Sequence, residues 1–271
     1  MRYVDALDRR LTIKSPPKRI VSLVPSLTEA LFVFGLEKAV VGVTNFCVEP
    51  KDAVAAKPRV GGTKTLNVDR VRELEPELVV ASAEENRKED IQALIDQGMR
   101  VYVTLPASVE EAVVLLEQLA EMTGAGRKAA RVVKETRAAL DETRAKNEGL
   151  EPVPTFCPIW RNPWMSIGPR TYMHDFVSVC GGANIFEWRH ERYPRIELTE
   201  MAERNPEIIL LPDEPYPFGS KHVPEISAYS EVPAVQNGRI YLVDGKRLCW
   251  YGPRIAASLR YVSGLMRGET A

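Results

Sequence analysis

Cys47 carries the most reactive side chain in a suggestive position. It lies in Thr44-Asn45-Phe46-Cys47-Val48-Glu49-Pro50, just after the apolar run 39–43, which reads as a strand. A thiolate there can ligate a metal or act as a nucleophile. An inert buried thiol stays open beside that reading, because no histidine or other base is near in sequence. Of three histidines, His174, His190 and His222, His190 is the candidate axial metal ligand, within Trp188-Arg189-His190-Glu191-Arg192-Tyr193. A solvated surface histidine is the plainer alternative. Glu84-Glu85 has the composition of an acid–base pair, although adjacent carboxylates in a loop usually face water. Gly61-Gly62-Thr63-Lys64 lacks the full spacing of a phosphate-binding loop. HExxH, GxSxG and GxGxxG are all missing. Cys157, Cys180 and Cys249 make no CxxC pair with Cys47 or each other, so no zinc site is suggested. A chain of this size needs no disulfides. These residues assemble no catalytic site, and the chain reads as a binding protein.

A wide, flat, partly apolar ligand is the better match. In open α/β sheets, ligands bind beyond the carboxyl ends of the strands. That rule selects Pro25-Ser26, Phe46-Cys47 and Glu84-Glu85-Asn86 in the first half of the chain. In the second half it selects Trp160-Arg161 with Trp164, Glu214-Pro215-Tyr216, and Trp250-Tyr251. All four tryptophans, Trp160, Trp164, Trp188 and Trp250, fall in the second half, in or beside loops. Aromatics on post-strand loops suit a ring-bearing ligand, and plugs at the sheet ends are the alternative. Arg161, Arg189, Arg192, Arg247 and Arg254 lie close by in sequence, able to stack on rings or grip carboxylates.

The elements that would position these loops can be read from the pattern. Segments 18–24, 39–43, 77–82 and 99–105 read as strands, alternating with helices 27–34, 68–74, 88–97 and 109–122. Ser26 or Thr28, Asn67 and Ser108 are the expected helix caps. After residue 150 the grammar repeats. Strand-like 155–160, 207–211 and 238–243 are joined by helices 173–180, 198–204 and 254–266. Between the halves, Gly126 to about Glu148 reads as one helix, with Ala129, Val132, Val133, Thr136 and Leu140 on one face. At 1.5 Å per residue it spans roughly 35 Å. The expected architecture is α/β: two lobes with mainly parallel sheets, joined by one long interlobe helix, with a ligand cleft between the lobes. The divisions are 1–122, 123–150 for the helix, and 151–271. An internal echo supports two related lobes. Residues 68–80 match 198–210, with Pro76-Glu77 in phase with Pro206-Glu207 at an offset of 130.

Composition narrows the function. The net charge of -1 gives no support for nucleic-acid binding, and no apolar run reaches the length of a membrane span. The amino-terminal MRYVDALDRRLTIKSPPKRI reads as a short hairpin and then a Ser15-Pro16-Pro17 turn. It has no apolar core and no small-residue cleavage site. Taken at face value the protein is expected in the cytoplasm, with a periplasmic location as the alternative if a leader has been removed. A monomer is expected.

Several segments together carry a resemblance. Pro17-Lys18-Arg19-Ile20-Val21-Ser22-Leu23-Val24-Pro25-Ser26-Leu27-Thr28-Glu29, Val40-Val41-Gly42-Val43, residues 60–82, and Cys180-Gly181-Gly182-Ala183-Asn184-Ile185-Phe186 resemble class III substrate-binding proteins of ABC importers. These bind cobalamin, ferric siderophores and haem, and the cobalamin-binding branch is the nearest likeness. The resemblance implies two α/β lobes, a rigid interlobe helix and a ligand clamped with little hinge motion. The ligand would be cobalamin or an iron complex, carried as cargo with no intrinsic cofactor, and an ABC permease would be the partner. Transporter-bound members use one surface carboxylate per lobe for docking. Asp69 occupies the first such position and Thr199 the second, with Glu197 and Glu200 as neighbours. A metallochaperone or enzyme using Cys47 on a bound metal complex is the competing reading.

Overall fold

The computed structural model describes residues 1–269. The chain divides into two compact units. The first comprises Met1–Pro106, Ala112–Glu135 and Tyr251–Pro253. The second comprises Ala107–Glu111, Thr136–Trp250 and, among the described residues, 254–269.

The first unit opens with the hairpin β1 (Arg2–Val4) and β2 (Arg10–Thr12). Its turn is tied by Asp5, whose carboxylate accepts the N–H groups of Leu7 and Arg9 at 3.0 Å. Next come β3 (Ile20–Ser22), α1 (Pro25–Val33), β4 (Val40–Val43), α2 (Lys51–Ala55), α3 (Val68–Glu73), β5 (Leu78–Ser82), α4 (Lys88–Asp96), β6 (Val101–Thr104), α5 (Val109–Thr123) and α6 (Gly126–Asn147). Helix α6 is continuous over 22 residues. Its good helix formers, uninterrupted by Gly or Pro after Gly126, account for that length. Its residues up to Glu135 belong to the first unit and those from Thr136 to the second; the first residues of α5 likewise belong to the second.

The sheet of the first unit is parallel, in the order β4-β3-β5-β6. Every residue of β5 is buried, as expected for a parallel strand covered on both faces. Val21, Val79, Ala81, Val101 and Val103 pack one face against Val71, Ile91 and Leu94 of α3 and α4. Complete burial of each Val, Ile or Leu side chain among them contributes about 1.5–3 kcal/mol.

The second unit contains β7 (Val153–Phe156), β8 (Pro158–Trp160), β9 (Met165–Ser166), α7 (Tyr172–Val179), β10 (Gly182–Asn184), α8 (Leu198–Glu203), β11 (Ile208–Pro212), a 3-10 turn (Ser220–His222), α9 (Val223–Ser227), α10 (Pro233–Gln236), β12 (Ile240–Val243), α11 (Lys246–Cys249) and α12 (Ile255–Arg267). Its main sheet is also parallel, in the order β10-β7-β11-β12. Phe156, Ile209 and Leu211 meet Phe186, Met201 and Phe218 in its core. The expected strand 155–160 is in fact two strands. β7 ends at Phe156, and β8 turns away to pair antiparallel with β9. That hairpin has no counterpart in the first unit.

The 130-residue echo holds element by element. α3 and α8 each span six residues, and β5 and β11 each span five, all at that offset. The left-handed residues that end the two helices, Glu75 (φ 44°) and Asn205 (φ 48°), keep it as well.

Asn67 caps α3 by accepting the Arg70 N–H at 2.9 Å, and Ser108 accepts the Glu111 N–H at 3.1 Å. Neither Ser26 nor Thr28 caps α1. The helix starts with Pro25 in its first turn, after Val24, and no side chain caps it. The Thr28 hydroxyl lies 2.9 Å from the Val24 carbonyl and 2.8 Å from Ser22 Oγ.

Candidate functional site

At the carboxyl ends of the first unit's strands, polar side chains are spent on holding loops. Asn86 is buried; its Oδ1 accepts the Ser82 N–H at 2.8 Å and its Nδ2 donates to Leu23 O at 3.4 Å. Ser82 Oγ accepts the N–H groups of Glu84 and Glu85. Tyr251 is buried here, and its hydroxyl donates to Glu85 Oε1 at 3.1 Å while also meeting Ser82 and Thr104. Burial, and then the nearby Glu85 charge, pushes the Tyr251 phenol well above its ordinary range. Gly252 lies so close that a Cβ would come 2.5 Å from Ser26 O, so only glycine fits. Pro25 and Ser26 are buried, which withdraws both from direct ligand contact.

Cys47 does not fit the reactive role its position suggested. It is fully buried, with Sγ 3.1 Å from Thr28 Oγ1 and 3.2 Å from Thr44 Oγ1. Burial raises its thiol above the usual range, and the hydrogen bonds from Thr28 and Thr44 only partly oppose that shift. It is therefore a neutral anchor, neither a nucleophile nor an accessible metal ligand. The anchor has a structural consequence. Arg59 Nη1 donates to the carbonyls of Thr44 (2.7 Å) and Cys47 (2.9 Å), closing the turn whose tip bears Phe46. Phe46 is left 59% exposed at that tip. Sequence reasoning missed Arg59, whose partners are all backbone carbonyls.

The second unit presents rings instead. Trp160 ends β8, is 44% exposed, and packs edge-on against Tyr216 at 5.6 Å between centroids. Trp164, in the β8–β9 turn, stacks on Phe218 at 5.5 Å with an interplanar angle of 15°. Tyr216 and Phe218 are 4.7 Å apart, and His222 meets both edge-on at 5.5 Å. Arg161 pairs with Glu225 at 3.0 Å. Trp160, Arg161, Trp164 and Tyr216 therefore come together as the sequence suggested, while Phe218 and His222 were missed. The spacing Tyr216-x-Phe218-x3-His222, directly after a buried strand, was the available signal.

The remaining expectations fare differently. Trp250 is buried, donates Nε1–H to Glu214 Oε2 at 3.1 Å, and lies under Lys246 and Arg254. It is part of the packing, as is Tyr251. Burial raises the Glu214 carboxyl above its ordinary range, against the Trp250 hydrogen bond. Trp188 is 49% exposed but sits with Arg189 and Arg204, each 4.5 Å from its ring. Arg204 caps α8 just ahead of β11, so Trp188 belongs to the amino-end side of that strand, away from Trp160. His190 is exposed. Among the described residues, no group of three or more His, Cys, Asp or Glu side chains could hold a metal ion. Asp69 is well exposed on α3, 3.1 Å from Arg72. Glu197 precedes α8, and Glu200 is ion-paired with Arg189. Among the described residues, no helix is long and apolar enough to cross a membrane.

Two parallel-sheet units of the same strand order, one with a ring-lined loop face, are the architecture of a periplasmic-type solute-binding protein. The chain belongs to the Periplasmic binding protein family, whose sequence profile matches residues 20–246. It is 31% identical over 260 residues to the ABC transporter substrate-binding lipoprotein YvrC of Bacillus subtilis (strain 168), covering 93% of this chain and 80% of that one. The periplasmic vitamin B12-binding protein BtuF of Vibrio cholerae superposes with a TM-score of 0.83 at 21% identity, covering 94% of this chain and 98% of that one. The periplasmic haem-binding protein RhuT of Roseiflexus sp. RS-1 superposes with a TM-score of 0.81 at 20% identity, covering 93% and 98%. The protein is thus a substrate-binding protein of the ABC-importer type and not an enzyme. The expectation of a cytoplasmic protein is overturned by the same findings, since the family and these relatives are periplasmic or lipoprotein binders.

Proposed function

We propose that this protein binds a corrinoid of the cobalamin type, or a related iron or other metal–organic complex, as cargo for an ABC importer outside the cytoplasm. The observation that carries the reading is the exposed Trp160 ring seated on Tyr216, with Trp164 stacked on Phe218 behind it. A rigid apolar shelf with few polar groups suits a macrocycle better than a sugar or an amino acid. Phe46, Glu84 and Glu85 are the candidate contacts on the first unit's own face. Asp69 and Glu197 are the candidate contacts to a permease, and Glu200, tied to Arg189, supports α8 rather than docking. The vitamin B12 and haem named for the two structural neighbours agree with this class of ligand.

The test is a titration with cyanocobalamin, cobinamide, haem and ferric siderophores, read by tryptophan emission and by co-elution of the coloured ligand. One of them should bind at micromolar concentration or below and quench Trp160, and Trp160→Phe should lose most of the quench. If none co-elutes with the wild-type protein, the ligand reading fails.

A further inference from the structure

Tyr216 Oη lies beside a histidine whose tautomer is fixed by the backbone. The Gly219 backbone N–H points at His222 Nδ1 at 3.0 Å. A backbone amide can only donate, so Nδ1 is the bare acceptor nitrogen and the proton of the neutral ring sits on Nε2. Nε2 lies 3.4 Å from Tyr216 Oη, so this weak contact runs from His222 to Tyr216. The Arg161 guanidinium is held by Glu225 at 3.0 Å. A phenol oxygen has one proton to give and limited capacity to accept. With His222 Nε2–H donating, the phenol's own O–H points elsewhere. Tyr216 is half-buried, and its ring packs against Phe218 and Trp160.

We infer that Tyr216 is a specificity-determining residue: a hydrogen-bond donor, set by His222, that selects a ligand with an acceptor oxygen beside the ring resting on Trp160. The fitting chemistry is a carboxamide carbonyl or carboxylate at the rim of a flat macrocycle. This rests on the binding reading above, and it adds a polar selection rule to an otherwise apolar shelf. A site built to hydrogen-bond discriminates against analogues lacking that group more strongly than an apolar surface does.

The experiment has a ligand-free arm and a ligand arm. In the first, the tyrosine Fermi doublet is recorded by ultraviolet resonance Raman for the wild type, and the Tyr216→Phe spectrum is subtracted to isolate Tyr216. The doublet should report a hydroxyl that accepts from the protein without donating to it. In His222→Phe, which keeps a ring in place, it should shift away from the acceptor state. A strongly donating hydroxyl in the free wild type overturns the inference. In the second arm, Tyr216→Phe should bind cyanocobalamin roughly 3- to 10-fold more weakly, the worth of one neutral hydrogen bond, with Trp160 emission of the free protein unchanged. Equal affinity in both proteins also overturns it. If no probe binds the wild type, the ligand reading has failed, and the Raman arm still decides the state of the hydroxyl.

Discussion

At the carboxyl end of β5, Ser82, Asn86, Glu85 and Tyr251 close on one another, leaving Phe46 as the large ring exposed on the neighbouring loop. At the carboxyl end of β11 the chain runs into Tyr216, Phe218 and His222, and the extra β8–β9 hairpin lays Trp160 and Trp164 over them. The sheets beneath share one strand order, and their central helix–strand pairs coincide at a fixed offset. The same scaffold therefore supports a polar plug in one unit and a ring shelf in the other. The difference lies in the loops beyond the strand ends, not in the strands. Loops can diverge this far because the sheet core alone sets their roots.

The largest effect expected from this contrast separates core rings from shelf rings. Phe156 is fully buried and meets Phe186 edge-on at 5.9 Å. Phe156→Ala should cost about 3–5 kcal/mol of stability. Trp160→Ala deletes a larger side chain four residues on but should cost less than ~1 kcal/mol, while removing most ligand affinity. Urea unfolding of both variants checks the pair, and a large stability loss in Trp160→Ala would make the shelf part of the core.

The plug is tested next. Tyr251→Phe removes a buried hydroxyl that meets Glu85, Ser82 and Thr104, at an expected cost of about 1–3 kcal/mol in urea unfolding. Tyr216→Phe, on the open shelf, should change stability by less than ~0.5 kcal/mol. Equal losses would erase the distinction between plug and shelf.

How much of this could be read in the sequence depends on the kind of interaction. β5, β11 and α6 were legible because burial on both faces or along one stripe leaves a periodic mark. Asn67 and Ser108 were legible because capping is local. The fates of Cys47, Trp250 and Tyr251 were not, because each is decided by partners far along the chain: Thr28 for Cys47, Glu214 for Trp250 and Glu85 for Tyr251. Post-strand position correctly brought them to the strand ends, but it does not say whether a side chain there points in or out. Trp188 was misplaced because Phe186, buried in the core two residues earlier, fixes that loop beside Arg204. The β8–β9 hairpin was merged with β7 because Cys157 between them is fully buried; Pro158, which opens β8, was the available sign of the break.

Glu214 supplies a pH-dependent test within the second unit. Its folded pKa is raised, chiefly by burial, so the folded state holds its proton more tightly than the unfolded chain does. Between the unfolded value, near 4.3, and the higher folded one, stability falls as pH rises. Above both, the penalty of a buried carboxylate is fully present. Glu214→Gln keeps an acceptor for Trp250 Nε1 and removes that penalty. It should gain less than about 1 kcal/mol at pH 7 and flatten this part of the stability–pH curve. A variant that loses stability at pH 7 and tracks the wild-type slope would show that the charged form is the favoured one.

The smallest effect is the most direct probe of the echo. Glu75 and Asn205 occupy the same left-handed position after α3 and α8, with φ of 44° and 48°. Asparagine tolerates that region better than glutamate, whose longer side chain gains no local hydrogen bond in return. If the two units share one backbone solution at this point, exchanging the residues should have opposite signs. Glu75→Asn should stabilise by about 0.5 kcal/mol and Asn205→Glu should destabilise by about the same. The Asn205 side chain also donates to Glu203 O at 3.3 Å, so the loss can slightly exceed the gain. Chemical denaturation of the two single variants and the double swap decides the matter. Opposite shifts that nearly cancel in the double variant mark equivalent corners, whereas shifts of the same sign would mean that the matching angles conceal different local balances.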